Sequence, residues 1–225
     1  MKKNDWMTRF YGKTWWEVED GPGDLQTLRN SLVEWRISAG EFQKVSAAQR
    51  MGFELVETFA EFVSRIEPSP HDDPEVCLAE PEHLEEIQRI TEICLVEDDS
   101  FYTRFKNRDF FSEAQCASYY QQLVTNSYSD DGALTAVAKD ESGVCGYYML
   151  KRTGEGIYKG MLTGVLPRAR GKSLHIRMQR TCFAQIKNPF TVVNTTQLHN
   201  LYTINSHIRQ QRTLASVTHI FFLSV

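Results

Sequence analysis

The sequence predicts an α/β protein of the α+β type: a mixed, mostly antiparallel central sheet flanked by helices, preceded by a small α+β N-terminal domain. Three observations carry this expectation. A stretch rich in proline and aspartate, "EPSPHDDPE" from Glu67 to Glu75, divides the chain. Three β-type runs then follow one another, separated by the hairpin signals "DESG" and "TGEG". Beyond them, helical and strand patterns alternate to the end, which places helices over a sheet. The expected limits are 1–67 for the small domain, 68–75 for a linker, and 76–225 for the larger domain.

In the small domain "TWWEVE" reads as a strand. "GDLQTLRNSLVEWR" reads as an amphipathic helix starting near Asp24, because Leu25, Leu28, Leu32 and Trp35 recur at helical spacing. "SAAQRMGF" is a short helix closed by Gly52, and "FELVETFAEFV" a strand. The three prolines of the linker lack backbone donors and disfavour a helix there.

After the linker, "VCLAE" is a short strand. "PEHLEEIQRITEICL" is a helix with Pro81 in its first turn and Leu84, Ile87, Ile90, Ile93 and Cys94 on its apolar face. "DDSFYTRFKNRDFF" is irregular, aromatic and basic, and Ser112 caps a second helix, "SEAQCASYYQQLVTNSY". The strands "ALTAVAKD", "GVCGYYMLKR" and "GIYKGMLTGVL" precede a helix from about Gly171 to Ile186. "FTVVNTT", "NLYTINSHIRQQ" and "SVTHIFFLSV" complete the chain as strand, helix and strand.

With 41% hydrophobic and 24% charged residues, the 225-residue chain has the composition of a soluble globular protein. A net charge of -4 argues against a general nucleic-acid binder. No apolar run approaches the ~20 residues of a membrane helix, and "MKKNDWMTRF" lacks a signal core, so a cytoplasmic protein with no membrane partner is expected. Cys77, Cys94, Cys116, Cys145 and Cys182 form no C-x-x-C pair and read as small buried hydrophobes. No metal-ligand pattern such as H-E-x-x-H occurs. The "NTT" at Asn194 fits a glycosylation sequon and is read as idle.

The stretch "TGVLPRARGKSLHIRMQ" ends a strand and opens a helix around a Gly-Lys-Ser. A nucleotide-binding G-x-x-x-x-G-K-[ST] loop needs a glycine where Leu166 stands, so this is not a P-loop. The context still suits a phosphate. A helix start offers unpaired N–H groups and about half a positive charge, and Arg168, Arg170 and Lys172 add full charges. The competing reading is a surface turn with solvated basic residues.

"V-L-P-R-A-R-G-K-S" resembles the acyl-CoA signature Q/R-x-x-G-x-G/A of the GCN5-related N-acetyltransferases. Arg168 matches its first position and Gly171 its first glycine, while Ser173 replaces the usual glycine or alanine. More closely, the chain resembles the dTDP-4-amino-4,6-dideoxygalactose (dTDP-fucosamine) N-acetyltransferases of surface-polysaccharide synthesis. That likeness includes "FYG", "AAQRMGFELVE", "YYQQLVTN" and "TTQLHN". The resemblance implies acetyl-CoA as cosubstrate. Its pyrophosphate would lie on the amides from Arg170 through Gly171, Lys172 and Ser173 to Leu174. Its pantetheine arm would pair with the backbone of Met161, Leu162, Thr163, Gly164 and Val165.

The resemblance also implies the chemistry. A β-bulge within Met161 to Gly164 would present an N–H to the thioester oxygen, with Gly164 permitting the unusual backbone. Asn200 on the last helix would contact the cosubstrate. The family's proton donor to the departing thiolate is a tyrosine seven residues after that asparagine, where this chain has His207. Histidine titrates near neutrality, so His207 is either the acid or a bystander. The family's Gly-Phe after this helix is replaced by "QQRTLAS", so the helix must close differently. Glu155 and Asp98 would serve as bases only through water, and each reads more readily as a solvated loop charge.

The acceptor is expected at "FYTRFKNRDFF". Phe101, Tyr102 and Phe105 can stack on a base, Arg104, Lys106 and Arg108 can face a diphosphate, and Tyr120 joins this set from the next helix. The competing reading makes these aromatic residues core. The function expected is transfer of an acetyl group to the amine of a nucleotide-linked amino sugar, in a monomer or homodimer. Two alternatives stand beside it: another small amine as substrate, or a catalytically weak protein that binds CoA and regulates a partner.

Overall fold

The computed structural model describes residues 1–225. Its elements run β1 (Lys2–Lys3), α1 (Asp5–Tyr11), β2 (Thr14–Val18), β3 (Ser31–Ser38), α2 (Phe42–Arg50), β4 (Glu54–Ile66) and β5 (Val76–Leu78). They continue as α3 (Leu84–Thr91), α4 (Glu113–Tyr128), β6 (Ala133–Asp140), β7 (Gly143–Gly154), β8 (Ile157–Val165), α5 (Leu174–Phe183), β9 (Phe190–Gln197), α6 (Leu201–Arg209) and β10 (Thr213–Ser224). The predicted class, a mixed and mostly antiparallel sheet with flanking helices, is the one observed. No helix is long and apolar enough to cross a membrane.

The chain divides into two compact units. One comprises Met1–Phe62, Thr103–Gln115 and Thr195–Val225; the other comprises Val63–Tyr102 and Cys116–Asn194. The expected linker thus lies at the start of the second unit, and the N-terminal residues share their unit with the last helix and strand.

In the first unit the strand order is β1-β2-β3-β10-β4. β3 is parallel to β2 and antiparallel to β10. This corrects the expected helix from Asp24: Asp24 caps only a single 3-10 turn, Leu25–Thr27, and Ser31–Ser38 is extended. Helical spacing of the leucines was outweighed by β-favouring Val33, Trp35 and Ile37. These three are buried on one face of a strand with a neighbour on each side. The core of this unit is aromatic: Tyr11, Trp15, Phe105, Phe111 and Phe222 pack with ring centroids 4.7–6.1 Å apart.

Helix α2 ends as expected at Gly52, which takes φ 84°; its N–H donates to Gln49 O, and Phe53 N–H donates to Ala48 O. Helix α6 closes with the same pair of bonds but without glycine. Gln211 adopts φ 56°, its N–H donates to Ile208 O, and Arg212 N–H donates to His207 O. This is how the chain ends the helix in the absence of the Gly-Phe. At Ser112 the expected cap is a reciprocal one: its hydroxyl accepts from Gln115 N–H, and the Gln115 side chain accepts from Ser112 N–H.

In the second unit the order is β9-β8-β7-β6-β5. β8 is parallel to β9; the β8–β7, β7–β6 and β6–β5 pairs are antiparallel. Alternation along β7 sends Tyr147 toward α3, where its hydroxyl accepts from Thr91, and Tyr148 toward α5. Leu174, Met178, Cys182 and Phe183 of α5 fill the core on that face with Ala136, Cys145, Phe190 and Val192. After Thr91 the helix passes into a π-helical turn, Glu92–Glu97. The segment 67–73 is irregular, as its prolines require, yet it is anchored: Arg177 donates to Asp73 (2.7 Å) and Glu75 (2.8 Å).

Asp73→Asn is expected to lower the melting temperature by a few degrees at neutral pH, about 1–2 kcal/mol for a charge-assisted fork. Arg177 holds the Asp73 carboxyl below its usual range. The stabilisation is therefore complete above about pH 4 and lost as pH falls through the depressed value. Melting curves of the two proteins should converge in acid; a constant gap would assign the loss to packing instead. Gln211→Gly should raise the melting temperature, by about 1 kcal/mol of relieved left-handed strain. No gain would show that the Gln211 side chain offsets the strain.

Candidate functional site

The residues of the second unit that bear on the site begin on β8. Its ladder with β7 pairs Tyr148 with Thr163 and Leu150 with Gly160. Met161 and Leu162 therefore face Met149 alone, a β-bulge inside the segment where one was expected. The backbone reason expected for Gly164 is corrected, because its φ is not in the left-handed region. A Cβ there would lie 2.8 Å from the Tyr147 ring and 3.0 Å from Ile90, so packing requires the glycine.

Strand β8 ends at Val165, and the next residue, Leu166, is buried with Ala169 and so anchors the turn that follows. Gly171 takes φ 87° and Ser173 φ 56°, and α5 starts when Ser173 O accepts from Ile176 and Arg177 N–H. The amides of Gly171, Lys172, Ser173 and Leu174 have no carbonyl partner within the chain. Such a run of amides at a helix start forms an anion cradle. Ser173, where the resemblance has glycine or alanine, is a non-glycine residue in left-handed geometry.

The three cations are not equivalent. Arg168 grips Asp140 through two bonds of 3.0 and 3.2 Å. Arg170 donates to Asp98 at 2.7 Å and to Val165 O at 3.1 Å. Lys172 is exposed and makes no ion pair. Asp140 is held below the usual carboxylate range by Arg168; Asp98 is lowered by the Ser100 hydroxyl first and by Arg170 second. Asp98 thus partners Arg170 and is not a solvated loop charge. Only Lys172 meets an incoming phosphate without first leaving a carboxylate.

The π-helical turn brings Cys94 beside Arg170, and burial pushes its thiol up. Burial likewise raises Cys145, and raises Cys182 to about 12. Four of the five cysteines are buried and Cys77 is exposed. None of these thiols near the cradle is poised as a nucleophile.

In the first unit, Asn200 caps α6: its Oδ1 accepts from Thr203 N–H at 3.1 Å. His207, on the same helix, is 2% exposed, and its ring lies 4.9 Å from that of Phe62. Of the expected acceptor residues, Phe105 is buried and stacks parallel to Tyr11. Arg104 pairs with buried Glu57 at 2.8 Å and lies over the Phe105 ring at 4.6 Å. The core reading therefore describes these two. Arg108 is half-exposed and 3.9 Å from Glu113. In the second unit Tyr102 is exposed, whereas Tyr120 is buried on α4 with an edge contact to Tyr119.

No family model and no curated protein matches the chain. Solved structures do. A conserved protein of unknown function from Staphylococcus epidermidis superposes with a TM-score of 0.62 at 12% identity, over 86% of this chain and 72% of that one. A GCN5-related N-acetyltransferase from Sphaerobacter thermophilus gives 0.59 at 13%, over 86% and 60%. A tandem GNAT protein from the clavulanic acid biosynthesis pathway gives 0.57 at 13%, over 86% and 64%. The fold is that of the GCN5-related N-acetyltransferases. The chain spans less than two thirds of the length of the latter two proteins.

Within this N-acetyltransferase fold, the strand–turn–helix around Leu166 was legible in the sequence, but the partners of its arginines were not. Asp140 sits in a hairpin signal and Asp98 lies 72 residues before Arg170, so only a co-varying charge pair would have revealed them. Asp98→Asn is expected to tighten binding of inorganic pyrophosphate at this turn several-fold by freeing Arg170, measured by titration calorimetry. Weaker binding would mean that Asp98 orients Arg170 and does not merely neutralise it.

Proposed function

We propose that this chain is an acetyl-CoA-dependent N-acetyltransferase acting on a small amine. The observation that carries the reading is the run of unpartnered amides, Gly171 to Leu174, at the end of a bulged strand in this fold. The cradle fits a pyrophosphate: four N–H donors, a helix dipole and the free Lys172 converge there, with two arginines available on exchange of their carboxylates.

In the reaction the amine nitrogen attacks the thioester carbonyl, an N–C bond forms, the C–S bond breaks, and the amine's proton passes to solvent. A backbone N–H of the bulge, within Met161 to Gly164, would donate to the carbonyl oxygen as it gains charge. The raised thiols favour this direct attack over an acyl-cysteine route. The departing thiolate takes a proton from His207 or from water. His207 as acid, Asn200 as a cosubstrate contact and dTDP-4-amino-4,6-dideoxyhexose as acceptor rest on the sequence resemblance. Tyr102 and Arg108 are the exposed candidates for the acceptor, and a homodimer is compatible with this reading.

One observation favours the second reading, a CoA-binding protein of low activity: His207 is buried against Phe62 and is not on the surface. The two readings separate by experiment. A hundredfold excess of acetyl-CoA over its Kd should stabilise the protein by about 2.7 kcal/mol, visible as a rise of several degrees in melting temperature. No rise at saturation would sink both. Thiol release with dTDP-4-amino sugars, compared with simple amines, then identifies the acceptor class. His207→Ala should cut turnover at least roughly tenfold while leaving the acetyl-CoA shift intact; unchanged turnover refutes the acid role.

A further inference from the structure

Asn194 occupies the last position of the β8–β9 ladder, opposite Gly160, one residue before the bulge begins at Met161. It is 4% exposed. Its Oδ1 accepts a long bond, 3.4 Å, from the Tyr148 hydroxyl, and its Nδ2 has no hydrogen-bond partner. A carboxamide nitrogen carries two donors, and burying both without an acceptor is costly. Packing alone would be served better by an apolar residue, as two positions earlier at fully buried Val192.

The surroundings are shaped to keep the amide. A Cβ on Gly160 would stand 2.3 Å from Asn194 Oδ1 and 2.8 Å from the Tyr148 hydroxyl, so the glycine makes the space that the amide fills. The Tyr148 ring reaches from this point to His175 in the first turn of α5, with ring centroids 5.7 Å apart. One face of the unit therefore links the phosphate cradle, Tyr148 and Asn194. Along β8, Gly160 to Val165 covers roughly 16 Å at about 3.3 Å per residue. That is the reach of an extended pantetheine arm leaving the cradle.

We propose that Asn194 is a ligand-binding residue whose Nδ2 donates to a carbonyl oxygen of the acyl-pantetheine chain. The proposal rests on the acetyl-CoA reading above. It adds a side-chain donor, from a different strand, to the backbone donor of the bulge. Two carbonyls share this chemistry, the thioester and an amide of the arm, and the choice of ligand separates them.

The test is titration of acetyl-CoA and of CoA into wild type, Asn194→Leu and Asn194→Ser, with the melting temperature of each protein alone. Asn194→Leu removes the stranded donors, keeps the same branched heavy-atom skeleton and gives up only the long bond from Tyr148, so its melting temperature without ligand should stay close to that of wild type. Both variants should bind acetyl-CoA about five- to tenfold more weakly. An equal loss for CoA identifies an amide of the arm as the acceptor, and a loss confined to acetyl-CoA identifies the thioester. If Asn194→Leu does not fold, Asn194→Ser decides alone. Wild type that binds while the variants bind equally well overturns this inference and leaves the acetyl-CoA reading standing. Wild type that binds neither ligand overturns both.

Discussion

The candidate site depends on keeping four consecutive amides, Gly171 to Leu174, out of the protein's own hydrogen bonding. A helix start leaves its first amides unpaired, and in this chain the turn before it extends that run. Here the means are local and few. Leu166 and Ala169 are buried and pin the turn, Gly171 and Ser173 take left-handed backbone angles, and α5 begins only when Ser173 O collects its first two bonds. The apolar face of α5 then locks the helix onto β6 and β7, which fixes the direction of the exposed amides.

Charge around the cradle follows the opposite logic, because it is largely satisfied from within. Arg168 and Arg170 would repel each other and their neighbours if both stood free, and Asp140 and Asp98 relieve that. The cost is competition: an incoming phosphate exchanges one carboxylate for another anion and gains only the difference. These pairs are also half-exposed, so each contributes modestly to stability. Asp98 belongs to a turn whose next residues are held by its own side chain and carbonyl, through Ser100 and Phe101. Its exchange at Arg170 therefore bears on the conformation of that turn.

Much of the second unit was legible in the sequence because its signals are local. The hairpin tetrapeptides, the Pro81 turn and the strand–turn–helix around Leu166 each depend on residues close in the chain. The first unit was less legible. Leu25, Leu28, Leu32 and Trp35 carry helical spacing, but β3 is extended because β2 and β10 lie on either side of it. The same limit applied at "FYTRFKNRDFF", whose aromatic and basic residues suit either a nucleotide or a core. Glu57, 47 residues before Arg104, claims the guanidinium, and Tyr11 claims the Phe105 ring.

By itself the sequence determined the order of elements from Val76 onward, the absence of a P-loop glycine at Leu166, and a strand–turn–helix suited to a phosphate. Those follow from backbone propensity and steric rules that act over a few residues. Only the tertiary structure decided which charges are free and which buried polar atoms lack a partner. Lys172 differs from Arg170 because Asp98 folds back onto one and not the other, and Asn194 is stranded because Gly160 and Tyr148 leave its nitrogen nothing to donate to. Pairing and burial are properties of residues brought together from distant parts of the chain, and no local pattern encodes them.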